Sequence, residues 1–171
     1  MSLTLLRHTR PDIADGICYG RSDLALAACF ETSAAAALAG LPQVGEVVSS
    51  PLSRCLRLAE RIAETRRLPL RIEPRIVEMD FGSWEGRPWA EIPRAEIDAW
   101  AADFEAARPY GGESPAMLAA RVSEALEETG PGPVLWVTHA GVVRAACALA
   151  GAREGWETRL PFGAFLTLER A

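Results

Sequence analysis

Short runs of hydrophobic residues alternate along this chain with longer stretches in which apolar positions recur at helical spacing. The short runs have the length and continuity of buried parallel strands, and they occupy residues 3–6, 44–48, 70–72, 134–137 and 165–168. The helical stretches occupy residues 27–39, 51–66, 115–129 and 142–150. Strands alternating with helices predict an α/β fold, a three-layer α/β/α sandwich around a mostly parallel central sheet.

Two of the helices have clear start signals. Ser50 is a typical N-cap residue, and Pro51 suits the first position of a helix, so the second helix is expected to begin there. Its apolar stripe includes Cys55, which we therefore expect in the core. Ser114 is the expected cap of the helix that starts at residue 115.

The segment 82–112 differs from the rest of the chain. It holds several prolines, many charges and two short helical patterns. We expect it to be a lid-like insertion over one end of the sheet, within a single domain that spans residues 1–171.

Composition narrows the classes of function. Of the 171 residues, 49% are hydrophobic and 24% are charged, as in an ordinary soluble globular protein. The net charge of −5 argues against nucleic acid as a main partner. The four cysteines lack the paired spacing of zinc or redox sites, and no apolar stretch could span a bilayer. We therefore expect a cytoplasmic protein with reduced thiols and no membrane partner.

Several chemically active side chains follow predicted strands. Arg7 and His8 end the first strand, His139 follows "VLWVT", Arg54 lies just after "EVVSS", and Glu78 lies past the third strand. Because ligands bind outside the carboxyl ends of parallel strands, these groups are expected to converge at one edge of the sheet. Two imidazoles, two guanidinium groups and one carboxylate together suit a phosphate monoester.

Taken singly, each of these residues has a simpler explanation. A histidine at a strand end is more often a hydrogen-bonded structural residue, and Arg54 shares its helix with other arginines that are typical of a solvated face. Their joint placement at one edge favours the phosphate site. Gly141 opens the last helix there, and its free amides are expected to help hold an anion.

Other phosphatase chemistries fit less well. Cys55 and Arg61 have the Cys-x5-Arg spacing of cysteine phosphatases, but the intervening residues are helix formers without a glycine. No Asp-x-Asp pair or Gly-x-x-x-x-Gly-Lys loop occurs. With two histidines and no carboxylate cluster, we expect neither a catalytic metal nor a cofactor.

The ordered motifs identify a family resemblance. The segments "LLRHT", "SSPLSRCLRLA", "EMDFGSWEG", "GGES" with Arg121 seven residues after its serine, and "VTHAGVVR" follow one another between Leu5 and about Ala150. This set resembles the histidine phosphatase superfamily, the phosphoglycerate mutase-like proteins. Within it, "CYGRSDLAL" and the small size are most similar to α-ribazole phosphatases, which act late in cobalamin biosynthesis.

The resemblance implies a phosphoglycerate mutase-like fold and a metal-independent mechanism. His8 would attack phosphorus and form a phosphohistidine. Arg7, Arg54 and His139 would hold the phosphoryl oxygens. Glu78 would protonate the leaving alcohol and later take a proton from water.

This chain departs from the family pattern near the nucleophile. Thr9 replaces the glycine that often follows the Arg-His pair, and Ala14 stands where mutases have a phosphate-binding asparagine. We expect the missing contact to come from the Gly20 amide or Arg21, or to be absent. Ala140, directly after His139, is also expected at the substrate site.

Phosphatase and mutase activities remain to be separated. Mutases carry an arginine pair between a Trp and a Phe to grip the substrate carboxylate, but Ala101 and Ala102 stand between Trp100 and Phe104 here. A phosphatase is therefore favoured, with a small phosphorylated metabolite, best α-ribazole 5′-phosphate, as its substrate. The alternatives are a phosphatase of another such metabolite, a mutase, or a silent phosphate-binding module that keeps the fold. The sequence leaves the oligomeric state open, with a homodimer as one option.

Three further features have two interpretations each. Tryptophans of the insertion could stack on a flat substrate such as a benzimidazole, or simply pack together. Glu113 and Arg121 could orient the site or form an internal salt bridge. Arg144, on the helix after His139, is expected to be solvated or paired.

Overall fold

The computed structural model of this protein describes residues 2–169. The strands are β1 (Ser2–Arg7), β2 (Glu46–Ser49), β3 (Leu70–Ile72), β4 (Val134–Thr138) and β5 (Phe165–Glu169). The α-helices are α1 (Phe30–Gly40), α2 (Ser53–Arg66), α3 (Arg94–Ala102), α4 (Pro115–Glu127) and α5 (Ala140–Leu149). Short 3₁₀ turns occupy Pro74–Ile76, Gly82–Trp84, Trp89–Glu91 and Gly155–Glu157.

The strands form one mixed sheet in the order β3-β2-β4-β1-β5. All neighbouring pairs are parallel except β1 and β5, which are antiparallel. The inner strands β1 and β4 are buried on both faces, so their sequences are nearly continuous in hydrophobic residues. The predicted α/β fold with a mostly parallel sheet is confirmed.

Two hydrophobic clusters cover the two faces of the sheet. On one face, Leu5 and Trp136 of the sheet pack with residues of α4 and α5, including Leu118 and Val143. On the other face, alternate strand residues such as Val137 pack with α1 and α2. Helices therefore lie on both sides of the sheet, which gives the three predicted layers.

The predicted start of α2 is wrong. The helix begins at Ser53, and its N-cap is Leu52, which makes no side-chain cap bond. Asp23 takes over this role from a distant loop, because its carboxylate accepts the Ser53 amide at 2.8 Å and the Ser53 hydroxyl at 2.7 Å. The Ser50 hydroxyl lies instead 2.8 Å from His139 Nε2.

Other helix ends differ from the sequence prediction by a few residues. Ser114 does cap α4, since its hydroxyl accepts the Met117 amide at 3.3 Å. Helix α5 begins at Ala140, two residues earlier than predicted, because His139 is extended and the helix follows it directly. Helix α1 begins at Phe30, after a turn in which the Phe30 amide bonds the Ala27 carbonyl.

The segment 82–112 packs against the core cluster that contains the central strands and α4 and α5. Trp84 is fully buried in the same cluster as the central strands, and its indole donates to Glu96 at 2.6 Å. The description of this segment as a lid stays a prediction. Within residues 2–169, no helix has the length and apolar character needed to cross a membrane.

Candidate active site

A cavity of about 240 Å³ opens at the carboxyl ends of β1 and β4. Its polar side is formed by Arg7, His8, Glu78 and Arg144, together with the backbone around Ala140. The remaining wall is largely apolar and aromatic, and it includes Ile17, Tyr19, Met79, Phe81, Trp89, Trp100, Phe104, Pro115, Leu118 and Trp156. The strand ends and the loop after β3 thus supply the charged groups, and the insertion supplies much of the aromatic wall.

His8 is held as a neutral imidazole with one nitrogen uncommitted. Its ring is 2% exposed, and Nδ1 lies 2.7 Å from the Thr9 carbonyl oxygen, which can only accept. Nδ1 therefore carries the proton and Nε2 keeps its lone pair. Burial, followed by the positive charges of Arg54 and Arg7, lowers the pKa of His8 from 6.5 to about 3.

Arg54 is completely buried beside the loop that follows Tyr19. Its Nη1 donates to the Ser22 carbonyl at 2.7 Å and its Nη2 to the Gly20 carbonyl at 2.6 Å. Its Nε–H is buried and has no partner in the part of the chain that the structure describes. The alternative of a solvated Arg54 is therefore excluded.

Arg7 is anchored in a similar way by a backbone carbonyl. Its Nη1 donates to the Leu160 carbonyl at 2.9 Å, and its guanidinium lies 3.8 Å from the centre of the Phe162 ring. Partial burial lowers the pKa of Arg7, and its Nε–H is also buried, with no partner among residues 2–169. The buried guanidinium of Arg54 and the half-buried one of Arg7 therefore each have an unpaired donor, and an anion would complete such a site.

His139 lies behind the cavity, where it contacts His8. The two imidazole centroids are 5.2 Å apart, and His139 Nε2 is bonded to the Ser50 hydroxyl at 2.8 Å. Burial and then the neighbouring charges of His8 and Arg54 lower the pKa of His139 well below its ordinary value. Cys55 Sγ lies 3.4 Å from the same nitrogen, fully buried in the core as expected.

Glu78 reaches the cavity from the loop after β3. Its carboxylate accepts the Met79 amide at 2.9 Å and the Gly141 amide at 3.1 Å. Among the amides at the start of α5, that of Gly141 is therefore already used by Glu78, and an anion contact from the other amides of that turn stays a prediction. The contact depends on glycine, because a Cβ built on Gly141 lies 2.3 Å from Glu78 Oε1.

The remaining sequence candidates lie at different distances from the cavity. Ala140 lines it. Gly20 and Arg21 lie outside its lining: the Gly20 carbonyl accepts from Arg54, and the Arg21 side chain faces Glu113 at 3.6 Å. A substrate contact from Gly20 or Arg21 stays a prediction.

Sequence reasoning missed three residues of this region. Tyr19 lines the cavity near Arg54, and burial raises the pKa of its hydroxyl. Ser50 orients His139, although its sequence context suited a helix cap. The Glu85 carboxylate accepts the Arg21 amide at 2.9 Å and also binds the Ser22 amide and hydroxyl, which fixes the loop that holds Arg54. These contacts join residues far apart in sequence, and no local pattern marks them.

The buried neutral histidines make the folded state sensitive to acid. In the unfolded chain each imidazole titrates near 6.5, so between that pH and the lower folded pKa the unfolded state binds more protons. The free energy of unfolding is therefore expected to fall as the pH drops from 6.5 to 5, with a slope that approaches about 1.4 kcal/mol per pH unit for each histidine near pH 5. Urea titrations at several pH values measure this slope.

The variant His8→Asn provides the control, since the chain has only two histidines and carboxylates titrate mainly below this window. The slope should be halved in the variant. A wild-type stability that is constant from pH 6.5 to 5 would contradict the buried neutral state of the imidazoles.

This chain is similar in sequence to known phosphatases. The family model of the histidine phosphatase superfamily (branch 1) matches residues 3–165. Glucosyl-3-phosphoglycerate phosphatase of Mycobacterium tuberculosis is 34% identical over 165 residues, covering 85% of this chain and 73% of the relative. Adenosylcobalamin/α-ribazole phosphatase of Escherichia coli is 29% identical over 133 residues, covering 72% and 66%.

Solved structures similar to this chain include phosphatases with the same names as the sequence relatives. The α-ribazole phosphatase of Shigella flexneri superposes with a TM-score of 0.85 at 28% identity, covering 99% of this chain and 90% of that one. Mycobacterial glucosyl-3-phosphoglycerate phosphatase in complex with VO3 gives a TM-score of 0.84 at 29% identity, covering 98% and 92%. These named relatives are phosphatases, which supports an enzyme that hydrolyses phosphate esters. The resemblance predicted from the ordered motifs is confirmed, and the chain belongs to the histidine phosphatase superfamily.

Proposed function

We propose that this protein is a metal-independent phosphomonoesterase that acts through a phosphohistidine at His8, with α-ribazole 5′-phosphate as its substrate. The observation that carries the proposal is the state of His8. Its Nδ1 proton is committed to the Thr9 carbonyl, its pKa is far below neutrality, and it lies on a cavity beside unpaired arginine donors. A neutral imidazole with a free lone pair next to an anion site is suited to attack phosphorus.

In the first step, His8 Nε2 attacks the phosphorus atom and the bond from phosphorus to the ester oxygen breaks. The Nε–H groups of Arg7 and Arg54 bond the non-bridging oxygens, where charge is stabilised during transfer. His139 adds a third donor from Nδ1 when the Ser50 hydroxyl donates to its Nε2. Glu78, protonated in this step, gives its proton to the leaving alcohol.

In the second step, water attacks the phosphohistidine. The Glu78 carboxylate takes one proton from this water, and the bond from phosphorus to His8 Nε2 breaks. Inorganic phosphate leaves, the imidazole is neutral again, and Glu78 is protonated for the next cycle. One carboxyl group thus serves as acid and then as base.

The aromatic wall of the cavity supports a substrate with a flat ring. Trp89, Trp100 and Phe104 line it from the insertion, and Trp89 is 38% exposed, so a ligand could stack on its face. Trp84 does not take part, because it is fully buried beneath them. The relatives from E. coli and S. flexneri that are named α-ribazole phosphatases support the same substrate.

A basic rim favours a second candidate, an ester that carries a carboxylate. Arg144 lines the cavity, its Nε donates to the Thr158 carbonyl, and a cleft joins it to Arg7 and Arg159. Within residues 2–169, neither Arg144 nor Arg159 pairs with a carboxylate. Glucosyl-3-phosphoglycerate, named in the M. tuberculosis relative, has such a carboxylate besides its phosphate.

A kinetic comparison of the two substrates decides between them. For α-ribazole 5′-phosphate as substrate, we expect the higher kcat/KM, a loss of about tenfold in Trp89→Leu from lost stacking, and no change in Arg144→Met. A higher kcat/KM for glucosyl-3-phosphoglycerate, lost in Arg144→Met, would replace the first candidate by the second. Failure to hydrolyse any phosphate monoester would overturn the proposal as a whole.

Metal independence has its own test. Within residues 2–169, no three His, Cys, Asp or Glu side chains are grouped so that they could hold a metal ion, and the arginines supply the positive charge that a phosphoryl group needs. We therefore expect kcat/KM for p-nitrophenyl phosphate to be unchanged after treatment with EDTA. A steep loss that magnesium or zinc restores would show that the enzyme uses a metal.

The close approach of Gly141 to Glu78 predicts a further effect. In Gly141→Ala, the added Cβ would displace the Glu78 carboxylate while favouring the helix. We expect kcat/KM for alkyl phosphates to fall by about tenfold or more, because proton transfer to a poor leaving group is impaired. Gly130→Ala is the matched control, because a Cβ there meets nothing within 4 Å. Equal activity of the two variants would show that Glu78 tolerates the displacement.

A further inference from the structure

A salt bridge between Arg121 of α4 and Glu113, which precedes that helix, lies next to the loop that carries Glu78. Arg121 Nε donates to Glu113 Oε1 at 2.7 Å, and Arg121 Nη2 donates to Glu113 Oε2 at 2.8 Å. Both side chains are largely buried, with 14% of Arg121 and 9% of Glu113 exposed. Although burial acts in the opposite direction, the bonds and charge of Arg121 lower the pKa of the Glu113 carboxyl.

The other donors of Arg121 bind the main chain just before and at Glu78. Nη1 donates to the carbonyls of Arg75 and Val77 at 2.6 and 2.7 Å, and Nη2 donates to the Glu78 carbonyl at 3.1 Å. All five N–H groups of the guanidinium are therefore used. Arg121 therefore has no donor left for a substrate, and it is absent from the cavity lining.

Residues 77–80 are irregular, so the carbonyls there lack partners from a helix or strand. Arg121 binds the carbonyls on the N-terminal side, and Glu113 binds the C-terminal side, where its amide donates to the Asp80 carbonyl at 2.9 Å. Its carboxylate also accepts the Asp80 amide at 3.4 Å. The pair thus fixes the backbone on both sides of Glu78, and two amides fix its carboxylate.

We propose that Arg121, held by Glu113, is a positioning residue for proton transfer by Glu78. The inference rests on the proposed function, in which Glu78 is the acid and base. Removing the guanidinium would leave three carbonyls without their donor and would take the two shortest bonds from the buried Glu113 carboxylate, so the loop would relax. The carboxyl group of Glu78 would then lose its alignment with the leaving oxygen, while His8 and the arginines beside it would keep their own anchors.

The test compares kcat/KM for p-nitrophenyl phosphate, which has a good leaving group, with kcat/KM for glycerol 2-phosphate, which has a poor one. In Arg121→Met, we expect the glycerol phosphate value to fall about tenfold more than the nitrophenyl phosphate value. In Arg121→Lys, the extra loss on glycerol 2-phosphate should be smaller than in Arg121→Met, because the ammonium group can still donate to some of the carbonyls. Glu113→Gln should also lose more activity on glycerol 2-phosphate than on p-nitrophenyl phosphate, but by a smaller factor. The inhibition constant of inorganic phosphate should stay at the wild-type value.

The control variant is Glu128→Gln. It removes the surface carboxylate that pairs with Arg75, close to the same loop but without contact to the carbonyls that Arg121 binds. It should leave both kcat/KM values unchanged. A selective loss in this variant as large as in Arg121→Met would assign the effect to general loosening of the region and overturn the inference.

A double variant separates positioning from a merely structural role. In a Glu78→Gln background the proton-transfer group is already absent, so Arg121→Lys should cause no further selective loss. Equal losses on both substrates in the single Arg121→Lys and Glu113→Gln variants, or no loss in either, would overturn the inference even if Arg121→Met fails to fold. Wild-type activity that depends on His8 would leave the proposed function intact in either case.

Discussion

Replacing His8 with alanine is expected to abolish hydrolysis of phosphate esters, lowering kcat by about 10⁴-fold or more. The reason is that, within residues 2–169, the second imidazole and the nearby thiol cannot replace it: His139 lies behind the cavity with Nε2 bonded to Ser50, and Cys55 is buried in the core. Initial rates with p-nitrophenyl phosphate measure the effect, because its leaving group needs little help and isolates the nucleophile.

A second substitution at His8 separates nucleophilic from structural loss. His8→Asn keeps an N–H donor near the Thr9 carbonyl, so its fold should be closer to the wild type. We expect it to be as inactive as His8→Ala. If either variant keeps most of the wild-type rate, His8 is not the nucleophile.

Glu78→Gln is expected to divide substrates by leaving group. The amide has nearly the same shape as the carboxyl group but cannot donate the proton that an alcohol needs to leave. We expect kcat/KM for alkyl phosphates to fall by about 10²- to 10⁴-fold, with a much smaller change for p-nitrophenyl phosphate. Since kcat/KM reports the steps through the first transfer, it tests Glu78 as the acid.

The same variant tests Glu78 as the base of the second step. With p-nitrophenyl phosphate, phosphohistidine should form quickly and react slowly with water, so a burst of nitrophenol should precede a slow steady state. Stopped-flow absorbance measures the burst. Equal losses of kcat/KM on both substrate types, without a burst, would remove Glu78 from both roles.

The fold could be predicted from the sequence where burial alone determined the residue pattern. Residues 3–6 and 134–137 are continuous in apolar side chains because β1 and β4 are covered by helices on both faces. Ser50 shows where local signals failed. Its context suits a helix cap, but its hydroxyl is used by His139, and Asp23 from another loop binds the start of α2 instead.

The sheet topology made part of the site predictable, because it determines which strand ends lie side by side. Parallel strands end at one edge, so His8 and His139 were expected to meet, and their rings are 5.2 Å apart. The groups that hold Arg54, and the capture of Glu78 by the Gly141 amide, depend on tertiary contacts between distant segments. The periodicity of one chain carries no information about such contacts.

The role of Arg121 likewise depends on tertiary contacts that the sequence does not reveal. Its position seven residues after Ser114 allowed either a site role or an internal salt bridge, and the structure shows that the bridge and the site are connected. The ion pair is internal, yet its remaining donors bind the backbone of Glu78. Only the complete set of donor contacts distinguishes a substrate-binding arginine from a positioning one.

Trapping the phosphoenzyme shows which residue carries the phosphoryl group during turnover. Glu78→Gln protein, mixed with p-nitrophenyl phosphate and quenched in base within the burst, would be digested and its phosphorylated peptide identified by mass spectrometry. We expect one phosphoryl group, stable in base and labile in acid, on His8. Phosphate on another residue, or full turnover by the wild type without any phosphorylated residue, would contradict the mechanism.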